Sequence, residues 1–199
     1  MSASLLTRRI PLQALMLGGS AGGVTALLCL LETLPADYRL PVVMLLHLPD
    51  DRHSELAQVF QRRLALRVKE AEGGETLQPA CVYVAPPGYH LLIEQDRSFS
   101  LSREAPQHHS RPSIDVLFES AADAYGAALA AVLLTGANQD GAAGLAAVKA
   151  HGGLTIVQDP TDAQVPTMPE AALALHTPDY VLALPDLRAL LKELDKSPC

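Results

Sequence analysis

Residues 14–23 read A-L-M-L-G-G-S-A-G-G, and this stretch decides which fold the rest of the chain can adopt. The apolar run Leu15-Met16-Leu17 predicts a buried parallel strand, and residues 24–34 predict a helix directly after the glycines. Ser20 lies in the turn between them, where residues 18–22 satisfy G-x-S-x-G, the pattern of a nucleophile elbow. The glycines permit a sharp turn, and the helix N-terminus offers unpaired N–H groups to a developing oxyanion.

A glycine-rich turn between a strand and a helix can also bind a phosphate or a dinucleotide. No G-x-G-x-x-G begins at Gly18, because the residue two positions later is Ser20, and the G-K-[ST] ending of a P-loop is absent. The turn by itself leaves a catalytic serine and an ordinary loop both open, so the rest of the chain has to decide between them.

The composition excludes several functional classes. The chain has 199 residues, of which 49% are hydrophobic, and this is enough for one domain with a sizeable core. The net charge of −7 without a long basic run argues against nucleic acid or an anionic membrane surface as a partner. Three cysteines without a C-x-x-C motif predict a reduced, cytoplasmic protein, and no stretch is long enough to insert into a membrane.

The pattern of strands and helices predicts an α/β fold. Strands are expected at residues 12–17, 41–47, 68–71, 81–85, 90–94, 98–102, 130–135, 154–158 and 180–184. Helices are expected at residues 24–34, 54–64, 113–125, 142–150, 168–175 and 186–194, with Ser113 and Asp186 as helix caps. This alternation predicts a doubly wound, mainly parallel sheet flanked by helices, with residues 81–102 as an added antiparallel block containing a hairpin. We expect residues 1–10 to be a flexible lead-in and residues 11–195 to form a single domain.

Three chemically suited side chains follow predicted parallel strands, at the edge where sites form in such sheets. Ser20 follows the first strand, His47 closes the second, and Asp140 lies in the loop after residues 130–135. Alone, His47 reads as an ordinary histidine at a strand end and Asp140 as a helix cap. Together they are what activated-serine chemistry requires, since the imidazole takes the hydroxyl proton and the carboxylate orients the ring. The order Ser–His–Asp differs from that of the α/β-hydrolases and argues against that family.

Four motifs resemble those of the CheB family of chemotaxis protein-glutamate methylesterases. They are L-G-G-S-A-G-G at 17–23, L-L-H-L-P at 45–49, R-P-S-I-D-V-L-F at 111–118 and L-T-G-A-N-Q-D-G-A-A-G-L at 134–145. On these motifs the chain resembles the family's catalytic domain along nearly all of its length. The resemblance implies that Ser20 is the nucleophile, His47 the general base and Asp140 the carboxylate that orients it.

The resemblance also implies an activity and a partner. It implies hydrolysis of glutamyl methyl esters on the methylated cytoplasmic region of chemoreceptors, with deamidation of receptor glutamine as a further activity and no metal or organic cofactor. Family members usually carry an N-terminal receiver domain, whereas barely ten residues precede the first predicted strand here. We therefore expect either an excised domain or a stand-alone esterase, with a separate regulatory protein in place of the receiver.

The remaining candidate residues surround the predicted triad. Oxyanion or substrate contacts are expected from Gly19, Ala21, Gly22, Arg111, Ala137 and Asn138. For Arg111 a surface, helix-capping role is equally open. Ala137-Asn138 replace the family's Met-Gly, Ala21 replaces a frequent threonine, and Ser110 stands where a histidine is common. The pair His108-His109 predicts a solvated loop rather than a metal site, because adjacent side chains diverge and no second ligand cluster accompanies them.

Two other functions remain as alternatives. The altered residues 137 and 138 are compatible with a catalytically weak scaffold that binds receptor or kinase components. An esterase or amidase acting on another protein or on a small molecule would carry the same predicted triad. Detection of ester hydrolysis would distinguish the scaffold from the esterase or amidase. Nucleotide binding is a third and less favoured alternative.

Overall fold

The computed structural model describes residues 10–47 and 55–195. The strands are β1 (Ala14–Gly19), β2 (Val42–Leu46), β3 (Arg67–Glu70), β4 (Cys81–Val84), β5 (His90–Ile93), β6 (Phe99–Ser102), β7 (Leu129–Leu133), β8 (Leu154–Gln158) and β9 (Tyr180–Leu182). The helices are α1 (Gly23–Leu31), α2 (Leu56–Gln61), α3 (Ile114–Tyr125), α4 (Ala142–Ala150), α5 (Thr167–Leu175) and α6 (Leu184–Asp195). The predicted α/β class with helices flanking a parallel sheet is confirmed.

Seven of these strands form one parallel sheet in the order β3-β4-β2-β1-β7-β8-β9. From β1 the chain adds β2 beside it, crosses to β3 at the edge of the sheet and returns to place β4 between β3 and β2. It then adds β7, β8 and β9 in order on the other side of β1. The connections after β1 and β7 therefore leave the sheet next to each other in space, and ligand sites in doubly wound sheets form at such a reversal of strand order.

The sheet is buried on both faces because its central strands are apolar at every position. Leu15 and Leu17 of β1 belong to a core with α1, α2 and α6. Ala14 and Met16, which point to the opposite face, belong to a second core with α3, α4 and α5. A strand covered on both faces reads as a continuous apolar run, which explains why the sequence shows no alternation here.

The antiparallel part of the fold is smaller than predicted. Strands β5 and β6 pair antiparallel as a separate two-stranded sheet, which the Ile93 amide ties to α3 through Ser120 Oγ at 3.1 Å. Strand β4, predicted within the antiparallel block 81–102, instead pairs parallel with both β2 and β3. Its four residues are all buried, and a strand that is apolar on both faces fits an interior place in the parallel sheet.

Several predicted boundaries also shift. Strand β1 begins at Ala14 and extends through Gly18 and Gly19, so both glycines are strand residues rather than turn residues. Asp186 lies in the first turn of α6, which begins at Leu184, and is therefore not its cap. The predicted lead-in up to residue 9, the Leu48-Pro49 end of the histidine motif and Cys199 lie outside the described residues. None of the helices within residues 10–47 and 55–195 has the length and hydrophobicity of a transmembrane span.

Candidate active site

Ser20 lies at the carboxyl end of the central strand, in the turn that leads into α1. Its amide donates to the Thr135 carbonyl at 2.9 Å, and its carbonyl accepts the Gly23 amide at 2.7 Å. Gly22 precedes the helix with φ +80°, a left-handed conformation that disfavours other residues. A Cβ on Gly23 would lie 2.5 Å from Leu46 Cδ2. The two glycines after Ala21 are therefore required both by the backbone conformation and by the approach of β2.

His47 is the first residue after β2. Its amide donates to the Gly19 carbonyl at 3.3 Å, which continues the β1–β2 pairing one step beyond Gly19 and Leu46. His47 therefore flanks Ser20 on the neighbouring strand. Its side chain is only 11% exposed, and Nε2 lies 2.7 Å from Asp140 Oδ2. An ionised carboxylate can only accept, so Nε2 carries the hydrogen and Nδ1 is the ring nitrogen left to accept a proton.

Asp140, in the loop after β7, is completely buried and receives four hydrogen bonds. Oδ1 accepts the Ser113 hydroxyl at 2.7 Å and the Asp115 amide at 3.0 Å. Oδ2 accepts the Ile114 amide at 2.7 Å in addition to His47 Nε2. Burial alone would raise the pKa of Asp140, but the bonds from His47, Ser113, Asp115 and Ile114 outweigh it and hold the pKa below its ordinary value.

The N-terminus of α3 can contact Asp140 because glycines, which have no side chain, occupy the positions that α3 packs against. A Cβ on Gly18 would lie 2.5 Å from Ile114 Cγ2, and one on Gly141 would lie 2.7 Å from the same atom. A Cβ on Gly144, at the start of α4, would lie 2.7 Å from Phe118 Cβ. These close approaches explain why glycines occur at these three positions of the motifs.

Asp115 is a second buried carboxylate beside Asp140. Burial raises its pKa, Oδ1 accepts the Gly144 amide at 2.7 Å, and Oδ2 lies 3.2 Å from His108 Nε2. The prediction of a purely solvated His108 is therefore incomplete, since this side chain pairs with a buried acid. His108, Asp115 and Asp140 bring ligand-type atoms within 4.8 Å of one another. Donors of the protein already bond both oxygens of Asp140, and the prediction that no metal is required stays a prediction.

Of the predicted oxyanion residues, Gly19 is the last residue of β1, where it pairs with Leu46 and its carbonyl accepts the His47 amide. Within the described part of the chain, the amides of Ala21, Gly22 and Ala137 have no acceptor. The Asn138 side chain is partly used, since its Oδ1 accepts the Asp140 amide at 3.2 Å. The structure thus leaves backbone donors free directly after Ser20 and in the loop that carries Asp140.

Arg111 serves the loop that precedes α3. Its Nη1 donates to the carbonyls of Arg103 and Glu104 at 3.3 and 3.1 Å, and these lie in the loop after β6, not at a helix end. Its Nε is buried and has no partner among residues 10–47 and 55–195. The helix-capping alternative is thus not what these contacts show, and the substrate contact stays a prediction.

A pocket of about 640 Å³ opens beside Asp140. Its lining includes Asn138 and Gln139, which directly precede Asp140, together with His108, His109, Thr167, Glu170 and Ala171. The pair His108-His109 thus lines an open space near the predicted carboxylate, and Asn138 forms part of its wall.

Sequence reasoning missed Ser113 and Thr135 as site residues. Ser113 is the N-cap residue of α3, as predicted, but its hydroxyl makes no capping bond and donates to Asp140. Thr135 was predicted only as the polar end of a buried strand, and its hydroxyl instead contacts the turn after Ser20. The sequence did contain a signal for Thr135, since it is a polar residue at the end of an apolar strand, on the edge of the sheet where ligands bind. No local signal marked Ser113 as a partner of a residue 27 positions away.

The comparisons with known proteins agree on one family. A family model described as CheB methylesterase matches residues 15–191. A Leptospira interrogans protein named putative protein-glutamate methylesterase/protein-glutamine glutaminase is 43% identical over 185 residues, which are 93% of this chain and 96% of that protein. A Symbiobacterium thermophilum protein with the same name, without "putative", is 36% identical, and the match covers 87% of this chain but only 48% of the relative. The crystal structure of the Thermotoga maritima CheB methylesterase catalytic domain superposes with a TM-score of 0.87 at 32% identity, over 93% of this chain and 100% of that one.

Proposed function

Because the chain belongs to the CheB methylesterase family, we propose that it hydrolyses glutamyl methyl esters on methyl-accepting chemotaxis receptors through Ser20, His47 and Asp140. The proposed partner is the methylated cytoplasmic region of those receptors, and the proposed compartment is the cytoplasm. The observation that carries the proposal is the 2.7 Å contact between His47 Nε2 and the buried Asp140, next to the strand end that holds Ser20.

The role of His47 in the reaction follows from which of its ring nitrogens is hydrogen-bonded to Asp140. Asp140 holds Nε2–H, so Nδ1 of His47 takes the proton as Ser20 Oγ attacks the ester carbonyl carbon. The tetrahedral intermediate collapses when the C–O bond to the methoxy group breaks, and the imidazolium returns its proton to the departing methanol. His47 then activates a water that releases the glutamate side chain from Ser20. The Ser20 proton leaves on methanol through His47. One proton of the water returns to Ser20 through His47, and the other leaves with the glutamic acid.

The negative oxygen of the intermediate needs donors that are already in place. The Ala21 and Gly22 amides precede α1 and have no acceptor in the described structure, and the partial positive charge of the helix N-terminus adds to them. We assign these two amides as oxyanion donors, with Ala137 as a further candidate on the opposite loop. This choice omits Gly19, which lies within β1 and not in the turn after it.

Deamidation of a receptor glutamine is proposed as a second reaction of the same site. An amide carbonyl would give the same acyl-enzyme on Ser20, with ammonia leaving in place of methanol after protonation by His47. The name of the Leptospira relative includes protein-glutamine glutaminase, which supports this extension.

Methanol release from a radiolabelled, methylated receptor tests the proposal. We expect release from the unaltered protein, no release from Ser20→Ala, and normal release from Ser98→Ala. Ser98 provides a matched control because its hydroxyl bonds Asp96 in the hairpin turn, outside the site. Failure of the unaltered protein to release methanol would contradict the proposal. In that case, turnover of small esters would support an esterase with another substrate, and no turnover at all would support a binding scaffold.

A further inference from the structure

Thr135, the second residue after β7, joins two segments of the site through one hydroxyl group. Its side chain is buried, and Oγ1 donates to the Ala21 carbonyl at 2.9 Å. The same Oγ1 accepts the Val165 amide at 2.8 Å. The Val165 carbonyl, 3.2 Å from Oγ1, already accepts the Gly136 amide. Thr135 therefore links the turn after Ser20 to the loop at residues 160–166.

The bond to Ala21 fixes the direction of an amide on the other side of the peptide unit. In a trans peptide the N–H points opposite to the C=O, so a carbonyl held toward Thr135 directs the Gly22 N–H away from it. The preceding peptide is fixed in the same way, because the Ser20 carbonyl accepts the Gly23 amide. The orientation of the Ala21 amide is thus set by the hydrogen bond of the Ser20 carbonyl, and that of the Gly22 amide by the hydrogen bond of the Ala21 carbonyl. Only the second of these bonds comes from a side chain, that of Thr135.

Residues 158–165 hold Thr135 in place from the other side. The buried Gln158 accepts the Thr135 amide on Oε1 at 2.9 Å and donates from Nε2 to Asp162 at 2.8 Å. Gln164 packs directly on Gly22, since a Cβ there would lie 2.7 Å from Gln164 Oε1. The loop therefore contacts the turn after Ser20 twice, once through Thr135 and once directly.

We propose that Thr135 is a positioning residue, whose hydroxyl aims the Gly22 amide at the oxyanion formed on Ser20. Among the described residues the Thr135 hydroxyl bonds the backbone of Ala21 and Val165, so it would act on the oxyanion through the Ala21–Gly22 peptide. The proposal rests on the proposed function in one respect, the role of Ser20 as the nucleophile.

Three variants of the full chain test it. Thr135→Val removes the hydroxyl at nearly constant shape, and Thr135→Ser retains the hydroxyl. Thr155→Val is the matched control, because Thr155 is also buried and its hydroxyl also donates and accepts, with Asp179 as the partner near the amino end of β8. The readouts are kcat and KM for methyl ester hydrolysis, the rate at which a fluorophosphonate labels Ser20, and the midpoint of thermal unfolding.

We expect Thr135→Val to lower kcat roughly 10- to 100-fold, which is less than the loss of an oxyanion donor itself. KM should stay nearly unchanged, labelling should slow in parallel with kcat, and Thr135→Ser should recover most of both. Thr155→Val should lose stability while keeping kcat. An equal loss of kcat in Thr155→Val, or a normal kcat in Thr135→Val, would overturn the proposal.

The fluorophosphonate separates this proposal from the proposed function. Labelling of the unaltered protein without methyl ester turnover would contradict the receptor substrate, while slower labelling of Thr135→Val alone would still support the role of Thr135. Absence of labelling in the unaltered protein would overturn both, since Ser20 would then not be an activated nucleophile.

Discussion

The Asp140 carboxylate accepts the Ile114 backbone amide at 2.7 Å, so the group that orients His47 also caps helix α3. Ile114 and Asp115 are the first two residues of that helix, and both amides point at this carboxylate. Amides at a helix N-terminus lack partners within the helix, and a negative charge there is stabilised by the helix dipole. The fold therefore keeps a buried acid ionised by the same contacts that begin a helix.

Asp140→Asn should impair both catalysis and folding. An asparagine offers one acceptor oxygen where four donors converge, and its NH₂ group faces an N–H or a hydroxyl. We expect kcat to fall roughly 10²–10⁴-fold through loss of His47 orientation. The free energy of unfolding should fall by about 2–3 kcal/mol through unsatisfied buried donors. Steady-state kinetics and urea unfolding measure the two effects, and a fully stable Asp140→Asn would contradict the capping role.

The contribution of Asp140 to stability should depend on pH in one direction. Because its pKa in the folded protein lies below the ordinary value of 3.8, the unfolded chain binds the proton first as the pH falls. The stabilisation is therefore complete above about pH 5 and is lost as the pH falls through the folded pKa. The difference in unfolding free energy between the unaltered protein and Asp140→Asn should be constant near neutral pH and shrink in acid. A difference that grows as the pH falls below about 4 would contradict this sign.

Ser113→Ala should lower activity with a modest loss of stability. The change removes one hydroxyl donor from Asp140 Oδ1 and leaves the two helix amides and His47 in place. We expect kcat to drop about tenfold at an unchanged KM, with a loss of about 1 kcal/mol in stability. Ser120→Ala is the matched control on the same helix, because Ser120 bonds Ile93 and the Val116 carbonyl rather than Asp140. Equal losses of kcat in the two variants would count against a specific role for Ser113.

Gly18→Ala should displace α3 from the sheet. Its added Cβ would lie 2.5 Å from Ile114 Cγ2 and 3.2 Å from Phe118 Cζ, and overpacking of this kind costs about 1–3 kcal/mol. Since Ile114 also binds Asp140, activity should fall with stability. Gly73→Ala is the control, because its Cβ would meet only Leu101 Cγ, at 3.9 Å. Thermal unfolding and kcat of both variants check the prediction, and a Gly18→Ala protein with unchanged values would refute it.

The class of fold could be predicted because continuous apolar runs alternate with helical patterns. The membership of β4 in the parallel sheet could not, because its four buried residues look the same in either kind of pairing. His47 and Asp140 could be placed at one edge of the sheet from topology alone. Their 2.7 Å contact could not, because Asp140 is also held by the amides of the first two residues of α3. The role of Arg111 could not be predicted either, since its partners are backbone carbonyls, which look alike in any sequence.

The sequence by itself determined the buried strands, the turn that presents Ser20 and the order of the three functional residue types, because these depend on local periodicity and on glycine. Only the tertiary structure decided that Asp140 caps α3, that the Ser113 hydroxyl donates to Asp140 instead of accepting from its own helix, and that Thr135 joins two loops. Those contacts join segments up to 114 residues apart. They exist because burial between the sheet and its helices leaves each polar group only the partner that packing brings within reach.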